Sequence, residues 1–133
     1  MDKIRIQCGD IQLVATLRDT SNARAILAAL PVRAVVQTWG DEVYFSVPVS
    51  ATLESDARDI VEPGELAFRV EGCCIAIGFG PTPKCRGTEI RLAAKTNLCA
   101  NTHNDVTQLY VIEPGESIVV ERLGADQAAS TGR

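Results

Sequence analysis

Apolar and polar positions alternate through the first seventeen residues. Ile4, Ile6 and Cys8 share one face of 3–8 (KIRIQC), and Ile11, Leu13, Ala15 and Leu17 share one face of 11–17 (IQLVATL). A period of two places alternate side chains on the same side of a strand, and Gly9-Asp10 between the runs is a turn signal. The spacing therefore predicts an N-terminal β-hairpin. The period then changes: Ala23, Ile26, Leu27 and Leu30 recur at the i, i+3, i+4, i+7 spacing of an amphipathic helix. Thr20 or Ser21 supplies its N-cap and Pro31 closes it.

Strand patterns return at 33–38 (RAVVQT) and 42–47 (EVYFSV), around Gly40-Asp41, with Pro48 ending the second. Residues 50–62 are polar and weakly patterned, and read as a loop with at most one helical turn. Glu62-Pro63-Gly64-Glu65 carries type II turn chemistry, because Pro presets φ and the following Gly accepts positive φ. The same tetrapeptide recurs at Glu113-Pro114-Gly115-Glu116, and each copy precedes a strand, 66–70 and 117–123. Their flanks do not match, so these are two similar turns and no internal repeat. Residues 73–79 (CCIAIGF) form an apolar strand broken by Gly80-Pro81-Thr82-Pro83. A basic, irregular connection is expected at 84–95, a strand near 96–101 and a short helix or turn near 104–110. The expected domain spans 1–123, and 124–133 has the composition of a flexible C-terminal tail. Short strands, frequent turns and one convincing helix point to a mainly β barrel or sandwich.

A chain of 133 residues fits one domain. Its 46% hydrophobic and 23% charged content excludes disorder for the body of the chain. A net charge of −4 gives no electrostatic case for nucleic acid or an anionic membrane as partner. The polar start, Met1-Asp2-Lys3-Ile4-Arg5, lacks the apolar region of a signal peptide, and no apolar run approaches the roughly 18 residues of a membrane span. A cytoplasmic protein is expected. The five cysteines, Cys8, Cys73, Cys74, Cys85 and Cys99, are odd in number and contain no C-x-x-C pair, which argues against a disulfide framework. Adjacent Cys73 and Cys74 would face opposite sides of a strand, so no metal site is expected, and no cofactor. His103, the lone histidine, reads as a surface turn residue.

Three segments carry more: Thr38-Trp39-Gly40-Asp41-Glu42-Val43-Tyr44-Phe45 with Pro48 close behind, Val61-Glu62-Pro63-Gly64-Glu65-Leu66-Ala67-Phe68, and Ile77-Gly78-Phe79-Gly80-Pro81-Thr82-Pro83. In this order and spacing they resemble the small bacterial and archaeal cyclophilin-like proteins, across residues 3–123. The resemblance implies a closed cyclophilin-like β-barrel of about eight strands, with one clear capping helix and a short second helix. Prolyl isomerases of the cyclophilin type use an Arg in Phe-His-Arg, a Gln in Gln-Gly-Gly-Asp, and a later Trp and His. No Phe-His precedes Arg33, Trp39 sits in the family's own signature, and His103 shares no motif with the cyclophilin His. The resemblance thus implies the barrel without the usual isomerase residues.

In a barrel, alternate residues point in and out. Val43, Phe45, Val47, Leu66, Phe68, Val70, Cys73, Ile75, Ile77 and Phe79 are expected inward. Glu42, Tyr44, Ser46, Ala67, Arg69, Cys74, Ala76 and Gly78 are expected outward. If 73–79 lies beside 42–47, its small outward residues leave a shallow trough next to Tyr44, Glu42 and Arg69, with Trp39 and Thr82 at the rim. An aromatic, an acid and a base make a plausible ligand floor. Cys74 is the outward thiol there, and Arg69 would favour its thiolate. Plainer roles exist for each residue: Trp39 capping the barrel end, Tyr44 covering surface, Asp41 serving the turn, and Glu42 with Arg69 forming an exposed ion pair worth under about 1 kcal/mol. Lys84, Arg86, Arg91 and Lys95 offer either an anion site or a solvated loop. The first functional reading is a module that binds a small molecule or peptide segment. The second is a weak prolyl isomerase or other small-molecule enzyme using Glu42, Arg69 or Cys74. The third is an accessory subunit of a partner enzyme. Homodimerisation stays open.

Overall fold

The computed structural model describes residues 2–85, 87 and 89–123; the expected tail at 124–133 lies outside them. The N-terminal alternation becomes a hairpin. β1 (Lys3–Cys8) and β2 (Ile11–Leu17) pair antiparallel, with Ile6 opposite Leu13. Gly9 makes the turn at φ +58°. Ile4, Ile6, Cys8, Leu13, Ala15 and Leu17 are all buried. The change of period produces α1 (Ser21–Ala29), capped by Thr20, whose hydroxyl accepts from the Ala23 N–H at 3.1 Å. Ala23 and Ile26 of α1 are buried in the main core.

The remaining strands are β3 (Val32–Val35), β4 (Gln37–Thr38), β5 (Glu42–Ser46), β6 (Arg58–Val61), β7 (Glu65–Arg69), β8 (Cys74–Gly78), β9 (Ile90–Thr102) and β10 (Ser117–Leu123). A 3-10 helix covers Val106–Val111, where the short second helix was expected. The strand order is β3-β10-β1-β2-β9-β7-β8-β5-β4. Its two ends, β3 and β4, are consecutive stretches of one segment. At Val36 that segment passes from β10 to β5: the Val36 N–H donates to Glu116 O at 2.9 Å, and the Gly115 N–H donates to Val36 O at 2.8 Å. Counting β3 and β4 as one strand, eight strands nearly close a ring, as expected. Leu13, Phe45, Leu66, Phe68, Ile75, Ile77, Leu109 and Ile118 fill its interior.

Two expectations need correction. The 50–62 stretch forms no helical turn and ends in the strand β6. The 84–95 connection is regular from Ile90 onward, because β9 begins there. The first half of β9 pairs with β6, with a register shift between Arg58 and Ile60, and lies outside the barrel. Val61, Ile90 and Leu92 pack there on Ala67 and Leu98 to form a second, smaller core.

Both Pro-Gly turns form as expected. Gly64 and Gly115 sit at φ +94° and +95°. In each copy the fourth residue's carboxylate reaches back to the first residue's N–H: Glu62 N to Glu65 Oε1 at 2.7 Å, and Glu113 N to Glu116 Oε2 at 2.5 Å. Glu65 Oε2 also accepts from Arg18 at 3.0 Å and Arg58 at 2.8 Å, tying β7 to the end of β2 and to β6. All five cysteines are free thiols. Among the described residues no helix is long and apolar enough to cross a membrane.

Candidate functional site

β8 runs antiparallel between β5 and β7. Glu42 lies opposite Gly78, Tyr44 opposite Ala76, and Ser46 opposite Cys74. On the other side Ala67 lies opposite Ala76, and Arg69 opposite Cys74. The strands at 42–47 and 73–79 are thus neighbours, and Glu42, Tyr44, Arg69 and Cys74 share one outer patch. The inward residues Val43, Phe45, Val47, Leu66, Phe68, Ile75 and Ile77 are buried, while Val70, Cys73 and Phe79 are half-buried against the core.

The outward residues are less open than alternation implies. Ala67, Cys74, Ala76 and Gly78 are buried. Over Gly78 the reason is the first half of β9: a Cβ on Gly78 would lie 2.5 Å from Ile90 Cγ2 and 3.7 Å from Leu92 Cδ2. The small residues make room for the chain itself there, so the trough is filled at that end. Ser46 is exposed and Tyr44 and Arg69 are half-buried, so the patch opens at the other end.

Glu42 is only 5% exposed, and its Oε1 is buried with no hydrogen-bond partner. Burial pushes its carboxyl up to about 7, and the nearby Arg69 charge offsets this only in part. The expected Glu42–Arg69 ion pair does not form. Arg69 Nε donates to Glu71 O at 2.9 Å, and the guanidinium stands 5.7 Å from the centroid of the Tyr44 ring, a cation–π distance. Burial also raises the Cys74 thiol, against the opposing pull of Arg69, so Cys74 is a wall of the patch and not a ready thiolate. Cys85 differs: burial raises its thiol, but hydrogen bonding with the Thr82 side chain and from the Thr82 and Arg91 N–H groups together outweighs it and lowers the thiol.

Trp39 is half-buried, and its backbone N–H donates to the Glu42 backbone O at 2.9 Å. The Trp39-Gly40-Asp41 turn is pressed against 79–83. A Cβ on Gly40, at φ +59°, would lie 2.8 Å from Pro83 Cδ and 2.9 Å from Thr82 Cα. Asp41 N donates to Pro81 O at 2.9 Å, and Phe79 N to Asp41 O at 2.8 Å. Thr82 is buried in this clamp, and its hydroxyl donates to the Arg91 carbonyl. Of the basic loop, Arg91 pairs with Asp59 and Glu89, each at 3.1 Å, and Lys84 Nζ donates to Ala93 O. Arg86 lies outside the described residues. His103 is exposed.

Sequence reasoning missed two residues, Asn22 and Asn97. Asn97 is fully buried; its Nδ2 donates to Asn22 Oδ1 and Thr52 O, both at 2.9 Å, and its Oδ1 accepts from Glu54 N at 2.8 Å. Alternation with Cys99 places Asn97 inward, and an inward amide is the signal that could have drawn attention to it. Among the described residues no group of three or more His, Cys, Asp or Glu is placed to hold a metal ion.

The family model described as Cyclophilin-like matches residues 2–121. The solution structure of a hypothetical protein from Archaeoglobus fulgidus is 32% identical, with a TM-score of 0.78 over 91% of this chain and 94% of that one. A structure of McbB in complex with tryptophan is 14% identical, with a TM-score of 0.67 over 91% of this chain and 45% of that one, a likeness of fold. No curated protein matches the sequence.

Proposed function

This chain belongs to the cyclophilin-like family, and we propose that it is a binding module whose recognition site is the outer patch of Glu42, Tyr44, Arg69 and Cys74. One observation carries the reading: Glu42 is a buried carboxyl with an oxygen that bonds to nothing. Such a group costs more to leave unsatisfied than a typical hydrogen bond returns, and a ligand N–H or ammonium would satisfy it. The guanidinium of Arg69 suits a carboxylate, and the Tyr44 ring offers a flat apolar face. Together they fit a ligand with the chemistry of an amino acid or a peptide end. Trp39 stands beside the patch, with Thr82 in the clamp behind it. The tryptophan held by McbB, a protein of like fold, supports an aromatic amino acid as first probe. The free cysteines suit the reducing setting of the cytoplasm.

A second reading draws on the same group. A carboxyl poised at about 7 exchanges its proton near neutral pH, which suits a general acid or base, and hence a weak isomerase or other small-molecule enzyme. One experiment addresses both. Isotope-labelled protein is titrated with L-tryptophan and, separately, with a short Xaa-Pro peptide, and exchange between the peptide's cis and trans forms is recorded. The binding reading expects saturable shifts at Tyr44 and Arg69 that are lost in Glu42→Gln and Arg69→Ala. Accelerated exchange that disappears in Glu42→Gln establishes the enzyme reading instead. A patch that neither probe perturbs refutes the assignment of an amino-acid or peptide site.

A further inference from the structure

The end of the barrel holds a second cleft, and Glu42 is not in its lining. The first turn of α1 and the 50–54 segment face each other across about 480 Å³, with Asn22, Ala25, Ala51, Leu53 and Glu54 in the lining. That volume is in the range of small-molecule sites, and barrel mouths are a common place for them. Asn97 organises one wall. Its amide makes three hydrogen bonds, to Asn22, to Thr52 and from Glu54, which fixes its orientation. Asn22 is fixed in turn. Its Oδ1 accepts from Asn97, so rotating the amide to exchange O and N would set two donors against each other. The consequence is an Nδ2 that is buried and donates to nothing, on a side chain only 3% exposed. Residue 22 lies in the first turn of a helix already capped by Thr20, so the cap does not require an amide there. Leu53, 47% exposed, and the half-buried Ala25 and Ala51 give the same cleft an apolar side.

We propose that this cleft is a binding site for a small neutral carbonyl or amide compound with a short apolar body. Its carbonyl oxygen accepts from Asn22 Nδ2, and its apolar part lies against Ala25, Ala51 and Leu53. The Glu54 carboxylate in the lining selects for a ligand N–H and against an anion. The site shares no residue with the outer patch.

The test uses the labelled full chain and N-acetyl-leucinamide, followed by NMR of backbone and side-chain amides. Saturable shifts are expected at the Asn22 side-chain NH2, at Ala25 and across 52–54, with Tyr44 and Arg69 unmoved. Asn22→Asp keeps the acceptor that Asn97 uses and removes the free donor, so affinity falls by about tenfold or more. Ala25→Leu fills the cleft from the helix side without touching the amide and abolishes the shifts. Amide dispersion establishes that each variant is folded; if Asn22→Asp fails to fold, Ala25→Leu decides alone. The proposal is overturned if the probe leaves these amides unmoved, if Ala25→Leu binds as the parent does, or if the Asn22 amide contacts only a long-lived water that the probe does not displace.

Discussion

Gly64 and Gly115 hold the same place in two copies of one tetrapeptide, at nearly the same φ, yet their surroundings differ. A Cβ on Gly64 would lie 2.5 Å from the Thr102 carbonyl oxygen, whereas one on Gly115 meets nothing within 4 Å. Gly115→Ala therefore carries only the strain of a left-handed alanine, about 1 kcal/mol. Gly64→Ala adds a clash with β9 backbone and is expected to cost about 3 kcal/mol. Urea unfolding of both variants checks this, and equal losses would refute the clash. The turn was legible because its chemistry is local to four residues. The clash was not, because Thr102 lies far along the chain. Glu42 repeats the lesson. Alternation placed it correctly on the outer face, but alternation fixes only the side of the sheet and says nothing about what later covers it.

Elements show the same division. The hairpin of β1 and β2 and the capped helix α1 join near neighbours in sequence, and their periods are clean. β6 has four residues, and its partner in β9 begins some thirty residues later with a shifted register. Neither leaves a period long enough to read against its polar surroundings. The clue was instead negative: the small outward residues of β8, which make space for something. Gly78→Ala drives a methyl into Ile90 and is expected to cost about 1–3 kcal/mol. Ile90→Ala alone leaves a cavity and costs about 2–4 kcal/mol. The double variant should be more stable than the sum of the two losses allows, since each change relieves the other. Strict additivity in a double-mutant cycle would show that β9 does not rest on Gly78.

For the molecule as a whole, two carboxyls set opposite slopes of stability against pH. Burial works against the ionised form of Glu65, but the Glu62 N–H, Arg58 and Arg18 outweigh it and hold the carboxyl below its usual range. Its contribution is present above the unfolded value and is lost as pH falls through the folded one. Glu42 is the reverse. Raised from 4.5 to about 7, it keeps a proton that the unfolded chain has released. Its contribution is full below pH 4.5, declines as pH rises towards about 7, and then levels off. Urea unfolding between pH 5 and 8 should show stability falling by on the order of 2 kcal/mol, and Glu42→Gln should flatten that slope. An unchanged slope in the variant would place the titration elsewhere. The ring itself was legible in outline, because it is made mostly of the strands with clean alternation. β9, read in part, has the wider reach. Its C-terminal half is clamped between β2 and β7, while its N-terminal half is held by β6 over the outer face, so in mechanical terms it is one beam supported at both ends. That beam runs unbroken from Ile90 above Gly78 to Asn97, the residue that pins α1 to the 52–54 segment. The outer face and the barrel mouth are built on a single beam.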